Sequence, residues 1–330
     1  MRHRRLGSEL SVGALGLGCM GMSGPYGPAD RDESIATIRA ALDAGVTLLD
    51  TGDYYGMGHN ELLIREALRS ARREDVVISV KFGALRDPRG AWLGIDARPE
   101  AVKTFIAYTL QRLGTDYVDV YRPGRVDPRV PIEDTVGAIA DLIAQGWVRH
   151  VGLSEAGADT IRRAHAVHPV TDLQIEYSLI SRGIEDRILP TCRELGVGIT
   201  AYGVLSRGLM SGHWTKDRTV IPGDFRGFAP RFKGENLEHN LELVEALRRV
   251  AEARNATVAQ MAIAWVLSRG DDIVPLVGAR RRERLGEAVG ALDLELTPED
   301  LEAVEAAVPR GSAAGERYGR EAMESLDSER

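Results

Sequence analysis

The stretch that decides the fold is YVDVYRPGRVDPRVPIEDTVGAIADLIAQGWVRHVGL, residues 117–153. It opens on a short apolar run, Tyr117–Tyr121. A Pro- and Arg-rich loop follows. Then, from Pro131 to Ala144, Ile132, Val136, Ile139 and Ile143 recur at helical spacing. Proline stands at the start of this segment and Gly146 just past its end, the usual asymmetry of helix termini. A second apolar run, Val148–Leu153, closes the unit as strand, crossover helix, strand. Outward from it the pattern repeats. Apolar runs stand at Ala14–Leu17, Thr47–Asp50, Val76–Val80, Asp172–Ile175, Val197–Ala201 and Ile273–Val277. Most are rich in Val, Ile and Leu, as in parallel strands buried on both faces. Helical patterns over Asp32–Ala44, Pro99–Leu113 and Asp186–Leu195 end at Gly45, Gly114 and Gly196. Eight such units with no break in composition predict an α/β chain, a single (β/α)8 TIM barrel over residues 1–330, in preference to a doubly wound open sheet. Arg2–Arg5 and Leu10–Val12, flanking Gly7-Ser8, predict a short N-terminal β-hairpin on the barrel floor. Ser206–Asn236 reads as a polar loop, followed by helices over Leu237–Arg254 and Thr257–Arg269. Residues Pro309–Arg330 are rich in Gly, Ser and charge, and predict a mobile tail or a loop returning over the mouth.

Composition narrows the function. The chain of 330 residues is 44% hydrophobic and 28% charged, an ordinary globular balance. Its 42 Lys+Arg against 49 Asp+Glu leave a net charge of -7, which argues against nucleic-acid or anionic-membrane partners. Two cysteines, Cys19 and Cys192, make neither a disulfide framework nor a metal cluster. The N-terminal stretch lacks the apolar run of a signal peptide, and no apolar segment is long enough to span a membrane. These features predict a cytoplasmic enzyme acting on a small molecule without a metal. They leave its oligomeric state open.

Gly16-Leu17-Gly18-Cys19-Met20-Gly21 matches the spacing of a dinucleotide fingerprint. That fingerprint needs a helix opening at its third glycine. Here Ser23-Gly24-Pro25-Tyr26-Gly27-Pro28 follows, which is turn chemistry, so the match is set aside.

In a barrel, chemistry belongs to the C-terminal ends of the strands. Asp50 ends the second apolar run and Lys81 the third. A carboxylate and an ammonium emerging from adjacent buried strands are within reach of an ion pair. Taken alone, that pair is equally a structural bridge. Tyr55, in Asp53-Tyr54-Tyr55-Gly56, lies on a loop that can fold back over the same spot. A tyrosine beside an ammonium is predicted to have its phenol acidified below the usual value near about 10, and to serve as general acid for a carbonyl oxygen. Proton donation coupled to hydride delivery would reduce an aldehyde or ketone.

The chain resembles the aldo-keto reductase family. The resemblance spans residues 1–308. It is carried by Leu49–Gly56, Val80–Gly83, Tyr117–Tyr121, Val151–Ser154, Leu173–Ser178 and Ala201–Gly208, in order and each at a strand end. It implies a (β/α)8 barrel using NADPH, with Asp50, Tyr55 and Lys81 as catalytic residues and Tyr55 as proton donor. It implies Gly18, Cys19, Met20 and Asp50 beside the cofactor, Ser154 and Gln174 on the carboxamide, and Tyr202 stacked on the nicotinamide. Gly203, Leu205, Arg207 and Gly208 would line the pyrophosphate. After the eighth strand, Gly278-Ala279-Arg280-Arg281-Arg282-Glu283-Arg284 forms a local anion site; read alone it is equally a solvated helix face. The resemblance places the 2′-phosphate at Arg280 and Arg284, and adenine at Glu287. Two expected asparagines are Glu155 and Ala288 here, so those contacts are not carried over. The larger departure is Gly124, which falls where the family usually has a substrate-orienting histidine. A water, Arg122 or Arg125 could take over; or the substrate is bulkier; or carbonyl turnover is weak. The alternative reading that Gly124 motivates is an NADPH-binding sensor subunit resembling the potassium-channel β-subunits. Trp92 is the aromatic candidate for a substrate pocket.

Overall fold

The computed structural model describes residues 1–330. An antiparallel hairpin, β1 (His3–Leu6) and β2 (Leu10–Gly13), leads into β3 (Gly16–Gly18). Then follow α1 (Arg31–Asp43), β4 (Leu48–Gly52), α2 (His59–Ala67) and β5 (Val77–Phe82). A second hairpin, β6 (Ala84–Arg86) and β7 (Trp92–Ile95), precedes α3 (Pro99–Leu113) and β8 (Val118–Pro123). The chain continues through α4 (Ile132–Ala144), β9 (Val148–Ser154), α5 (Ala158–Val167), β10 (Val170–Glu176), α6 (Ile188–Leu195) and β11 (Gly198–Tyr202). It ends with α7 (Gly234–Ala253), α8 (Val258–Ser268), β12 (Ile273–Val277), α9 (Arg282–Val289), α10 (Pro298–Ala307) and α11 (Arg320–Glu324). Strands β3, β4, β5, β8, β9, β10, β11 and β12 form a closed barrel in that order, and parallel pairing of β12 with β3 completes it. The fold is the (β/α)8 TIM barrel with its N-terminal hairpin. No helix is long and apolar enough to cross a membrane.

Local chemistry explains the elements. Thr257 and Gln260 form a reciprocal capping box that starts α8, and Thr297 with Asp300 does the same for α10. The main apolar core lies between strands and helices. A smaller cluster, Leu6, Leu10, Val12, Leu48, Val120, Val274 and Leu276, seals the barrel floor beneath the first hairpin. The segment 84–95, which holds none of the apolar runs read from the sequence, forms a hairpin. Its strands are too short and too exposed at Trp92 and Leu93 to leave an apolar signature. The polar segment after β11 holds three short 3-10 turns and no longer element.

The barrel interior also carries charge. Arg122 and Asp172 are fully buried with their charged atoms 3.0 Å apart. Arg122 donates to Ser79 Oγ at 2.7 Å, and Asp172 accepts from Thr200. Gly152 makes room for the pair: a Cβ there would stand 2.8 Å from Asp172 Oδ1 and 3.1 Å from Arg122 Nε. Arg122→Ala would strand a buried carboxylate and is expected to lower stability by about 3–5 kcal/mol in denaturant titration. The double variant Arg122→Met/Asp172→Leu should recover most of that loss. Equal destabilisation of both variants would contradict this account.

Candidate active site

The strand ends converge on one buried ion pair. Lys81 Nζ lies 2.6 Å from Asp50 Oδ2. The other carboxylate oxygen accepts from Gln174 Nε2 at 2.7 Å and from Ser79 Oγ at 3.3 Å. All four side chains are buried. Burial, aided by the nearby Arg122 and Arg125 charges, pulls the Lys81 ammonium below its ordinary value against the attraction of Asp50.

The loop after β4 brings Tyr55 to this pair. Asn60 fastens it: its amide donates to Cys19 O at 2.8 Å and Ser23 Oγ at 2.7 Å, and its carbonyl accepts from Thr51 Oγ1 at 2.6 Å. Lys81 Nζ stands 5.1 Å from the centroid of the Tyr55 ring. Tyr54 meets that ring edge-on at 5.0 Å. The ammonium faces the ring and makes no hydrogen bond to the hydroxyl. The expected acidification of the phenol is therefore corrected: burial raises it well above its ordinary value, and the neighbouring Tyr54 and Asp50 push the same way, with only Arg125 opposing. The same loop buries Asp53, whose carboxyl is pushed up to about 8 by burial and by Glu61.

The space beside Gly124 is bounded by Tyr54. A Cβ on Gly124 would lie 2.9 Å from the Tyr54 hydroxyl. Arg122 points into the barrel toward Asp172 and Ser79, so it is not available at the mouth. Arg125 stays at the surface of the mouth, donating to the Gly124 carbonyl at 2.7 Å.

The residues singled out for a nicotinamide cofactor ring the same opening. Ser154 Oγ is buried and has no hydrogen-bond partner, and Gln174 uses only its amide nitrogen, so its carbonyl is free. An orphaned hydroxyl beside a free amide carbonyl suits a carboxamide. A Cβ on Gly278 would meet nothing within 4 Å, and one on Gly18 nothing nearer than 3.7 Å, which leaves open space over two adjacent strands. Cys19 is fully buried, and burial pushes its thiol up, as befits a packing residue and not a nucleophile. Met20 opens a single 3-10 turn, Met20–Ser23, in place of a fingerprint helix. Beyond β11, Gly203, Ser206, Arg207 and Gly208 all have left-handed backbone, and Leu205 lies among them. Arg207 is committed to Glu176 at 3.1 Å and lies 4.5 Å over the Tyr318 ring. Arg280 donates weakly to the Tyr26, Gly27 and Pro28 carbonyls at 3.2–3.4 Å. Burial and the neighbouring Arg226, Arg281 and Arg218 charges lower its pKa, the mark of crowded cations. Arg284 and Glu287 pair with each other at 3.1 Å and share His213. Trp92 is half exposed on the β6–β7 hairpin, with Arg86 5.2 Å above its ring. No group of three or more His, Cys, Asp or Glu side chains is placed to hold a metal.

Sequence reasoning offered a loop returning over the mouth as one form of the tail but missed its anchor. Residues 309–330 turn back over the mouth. Arg317 grips buried Glu155 through two hydrogen bonds of 2.8 and 2.6 Å, and Ser328 adds one of 2.7 Å. Tyr202 donates to the same carboxylate at 2.6 Å and meets the Tyr318 hydroxyl at 2.8 Å. Arg218 and Arg226 were also missed; both stack on Trp214, a contact that only the folded loop creates.

The barrel and its paired strand-end residues decide the assignment together with a family model, Aldo/keto reductase family, that matches residues 14–309. The chain belongs to the aldo-keto reductase family. It is 43% identical over 317 residues to a probable aldo-keto reductase 1 of Glycine max, covering 95% of this chain and 91% of that one. Among solved structures it is similar to a glycerol dehydrogenase from Gluconobacter oxydans, with TM-score 0.85 and 27% identity over 95% of this chain and 97% of that one. It is also similar to a thermostable aldo-keto reductase solved with the inhibitor epalrestat, with TM-score 0.74 and 26% identity over 93% of this chain and 100% of that one. This aldo-keto reductase is thus an oxidoreductase of a family that takes a nicotinamide cofactor.

The tail latch has a defined pH range. Burial alone would raise Glu155, but Arg317, Arg125 and the Tyr202 hydroxyl outweigh it and bring the carboxyl down to about 2. Its contribution to stability is present above the ordinary value near about 4.3 and is lost as pH falls toward about 2. Arg317→Ala should raise hydrogen exchange of the Ser328 amide, which is bonded to Glu155 O at 3.0 Å, at least about 10-fold at neutral pH. Unchanged protection there would show that the tail is held by something else.

Proposed function

We propose that this aldo-keto reductase reduces an aldehyde or ketone to an alcohol with NADPH, with Tyr55 donating the proton. The observation that carries the reading is the buried Lys81–Asp50 pair, 2.6 Å apart, beneath the Tyr55 ring and beside the unpartnered Ser154 hydroxyl. Bound cofactor would supply the hydride. Ser154 and Gln174 would hold its carboxamide, with Tyr202 as the ring face. The crowded guanidiniums of Arg280, Arg281 and Arg218, beside an Arg226 already paired with Asp224, favour a cofactor with an extra phosphate, hence NADPH over NADH. Arg284 and Glu287 are neighbours of that site, already paired.

Tyr55 keeps its proton through the neutral range because burial disfavours the phenolate. It therefore enters the reaction as an acid and gives the proton to the carbonyl oxygen as negative charge grows there. Asp50 fixes the Lys81 ammonium under the ring, and Gln174 and Ser79 fix Asp50. The arrangement is preorganised, so charge appearing on the phenol meets a cation already in place. The Tyr54 hydroxyl, 2.9 Å from where a Gly124 Cβ would stand, is the donor that takes the place of the family's histidine in steering the carbonyl. That filling of the gap favours the enzyme over the sensor subunit, whose motive was the gap itself. The reading also includes a reducing cytoplasm as the compartment and a small carbonyl compound as the partner.

The test is titration with NADPH and NADH, followed by an aldehyde and ketone panel. NADPH is expected to bind at least about 10-fold tighter, and turnover of several aldehydes is expected. Tight NADPH binding without turnover of any carbonyl would favour the sensor. The pH profile gives a second check. The protonated phenol is the active form and its pKa is raised, so reduction should show no alkaline fall-off below about pH 10 from this group. A limb centred near pH 7–8 that disappears in Tyr55→Phe would contradict the account.

A further inference from the structure

Arg125 bends its guanidinium back over the end of β8, donating to the Gly124 carbonyl at 2.7 Å and reaching the Tyr318 hydroxyl at 3.4 Å. It is half-buried, and no carboxylate lies within 4.0 Å of it. Glu155 feels its charge, but the Glu155 oxygens are taken by Arg317, Tyr202 and Ser328. In a chain with 49 acidic residues, where most arginines at the barrel surface find a partner, this one does not. A guanidinium has five N–H donors, and most of those on Arg125 are unused. Its charge acts on both Tyr54 and Tyr55, so it stands at the reacting end of the mouth. The crowded guanidiniums around Arg280 follow β12. That strand lies four places from β8 in an eight-stranded ring, directly across the opening. Cofactor phosphates held there leave Arg125 unmatched. The phenols around it, Tyr54, Tyr55, Tyr202 and Tyr318, donate hydrogen bonds but bring no negative charge.

We propose that Arg125 binds an anionic group of the substrate, so that the preferred substrate carries a carboxylate close to its reducible carbonyl, as in a 2-oxo acid or a carboxylated aldehyde. The inference rests on the reductase reading above and names its substrate class. A carboxylate presents two acceptor oxygens to the guanidinium fork and supplies the missing counter-charge. The Tyr318 hydroxyl, brought by the tail, closes the same corner. The competing role is polarisation of the carbonyl itself. That role would help every substrate alike, and so is separable by experiment.

The experiment compares kcat/KM with NADPH for 4-carboxybenzaldehyde and methyl 4-formylbenzoate at pH 7, in the wild type, Arg125→Gln and Arg125→Lys. Isothermal titration of benzoate and benzamide into NADP+-saturated protein runs beside it. A charge-assisted contact corresponds to about 10-fold or more in the acid-to-ester ratio. That ratio should fall to about 1 in Arg125→Gln and recover in part in Arg125→Lys. Benzoate should bind tighter than benzamide, and Arg125→Gln should erase the difference. A wild-type ratio near 1, or a ratio unchanged in Arg125→Gln because both substrates slow together, overturns the proposal. If no aldehyde is reduced at all, the reductase reading fails, while the benzoate titration still decides whether Arg125 is an anion site. Should Arg125→Gln melt early, the wild-type ratio and the Arg125→Lys variant decide alone.

Discussion

The site depends on a salt bridge placed where water is excluded. Lys81 and Asp50 lie on adjacent strands and are both buried, so neither can be left without the other. Gln174 and Ser79 consume the rest of the Asp50 acceptor capacity, which fixes the ammonium in one place. Such a pair contributes little net stability. Its value here lies in position: a cation held rigidly under an aromatic ring at the open end of the barrel.

A second theme is substitution by neighbours. Gly124 leaves the mouth without a side chain at this point, and the Tyr54 hydroxyl stands 2.9 Å from where a Cβ would be. Glu155 buries a carboxylate at the mouth, and Arg317 arrives from the far end of the chain to neutralise it. The tail then brings Tyr318 to Tyr202, Arg207 and Arg125, so the wall of the opening is built from segments remote in sequence. The floor is closed independently by the N-terminal hairpin through Leu6, Leu10 and Val12.

Much of this was legible in the residues. The eight apolar runs and their capped helices carry the barrel, because strand burial and helix termini are local signals. Asp50 and Lys81 could be placed because strand ends are set by the same runs; the role of Gln174 came only with the family resemblance. What escaped is of two kinds. The Arg317–Glu155 pair joins positions with no local signal between them, and the stacking of Arg218 and Arg226 on Trp214 exists only once the loop is folded. The direction of the Tyr55 shift escaped because it depends on burial. From sequence an ammonium nearby suggests acidification; in the fold burial of the phenol dominates, and the Tyr54 and Asp50 charges push the same way.

The claim on which the account turns is that one phenol supplies the proton. Single-turnover reduction of an aldehyde by NADPH-loaded protein, with cofactor affinity measured in parallel, addresses it directly. Tyr55→Phe should slow the chemical step by about 100-fold or more while changing NADPH affinity less than about 3-fold, since general-acid donation is worth roughly 100- to 10,000-fold. A variant that reduces the aldehyde at the wild-type rate would contradict the account.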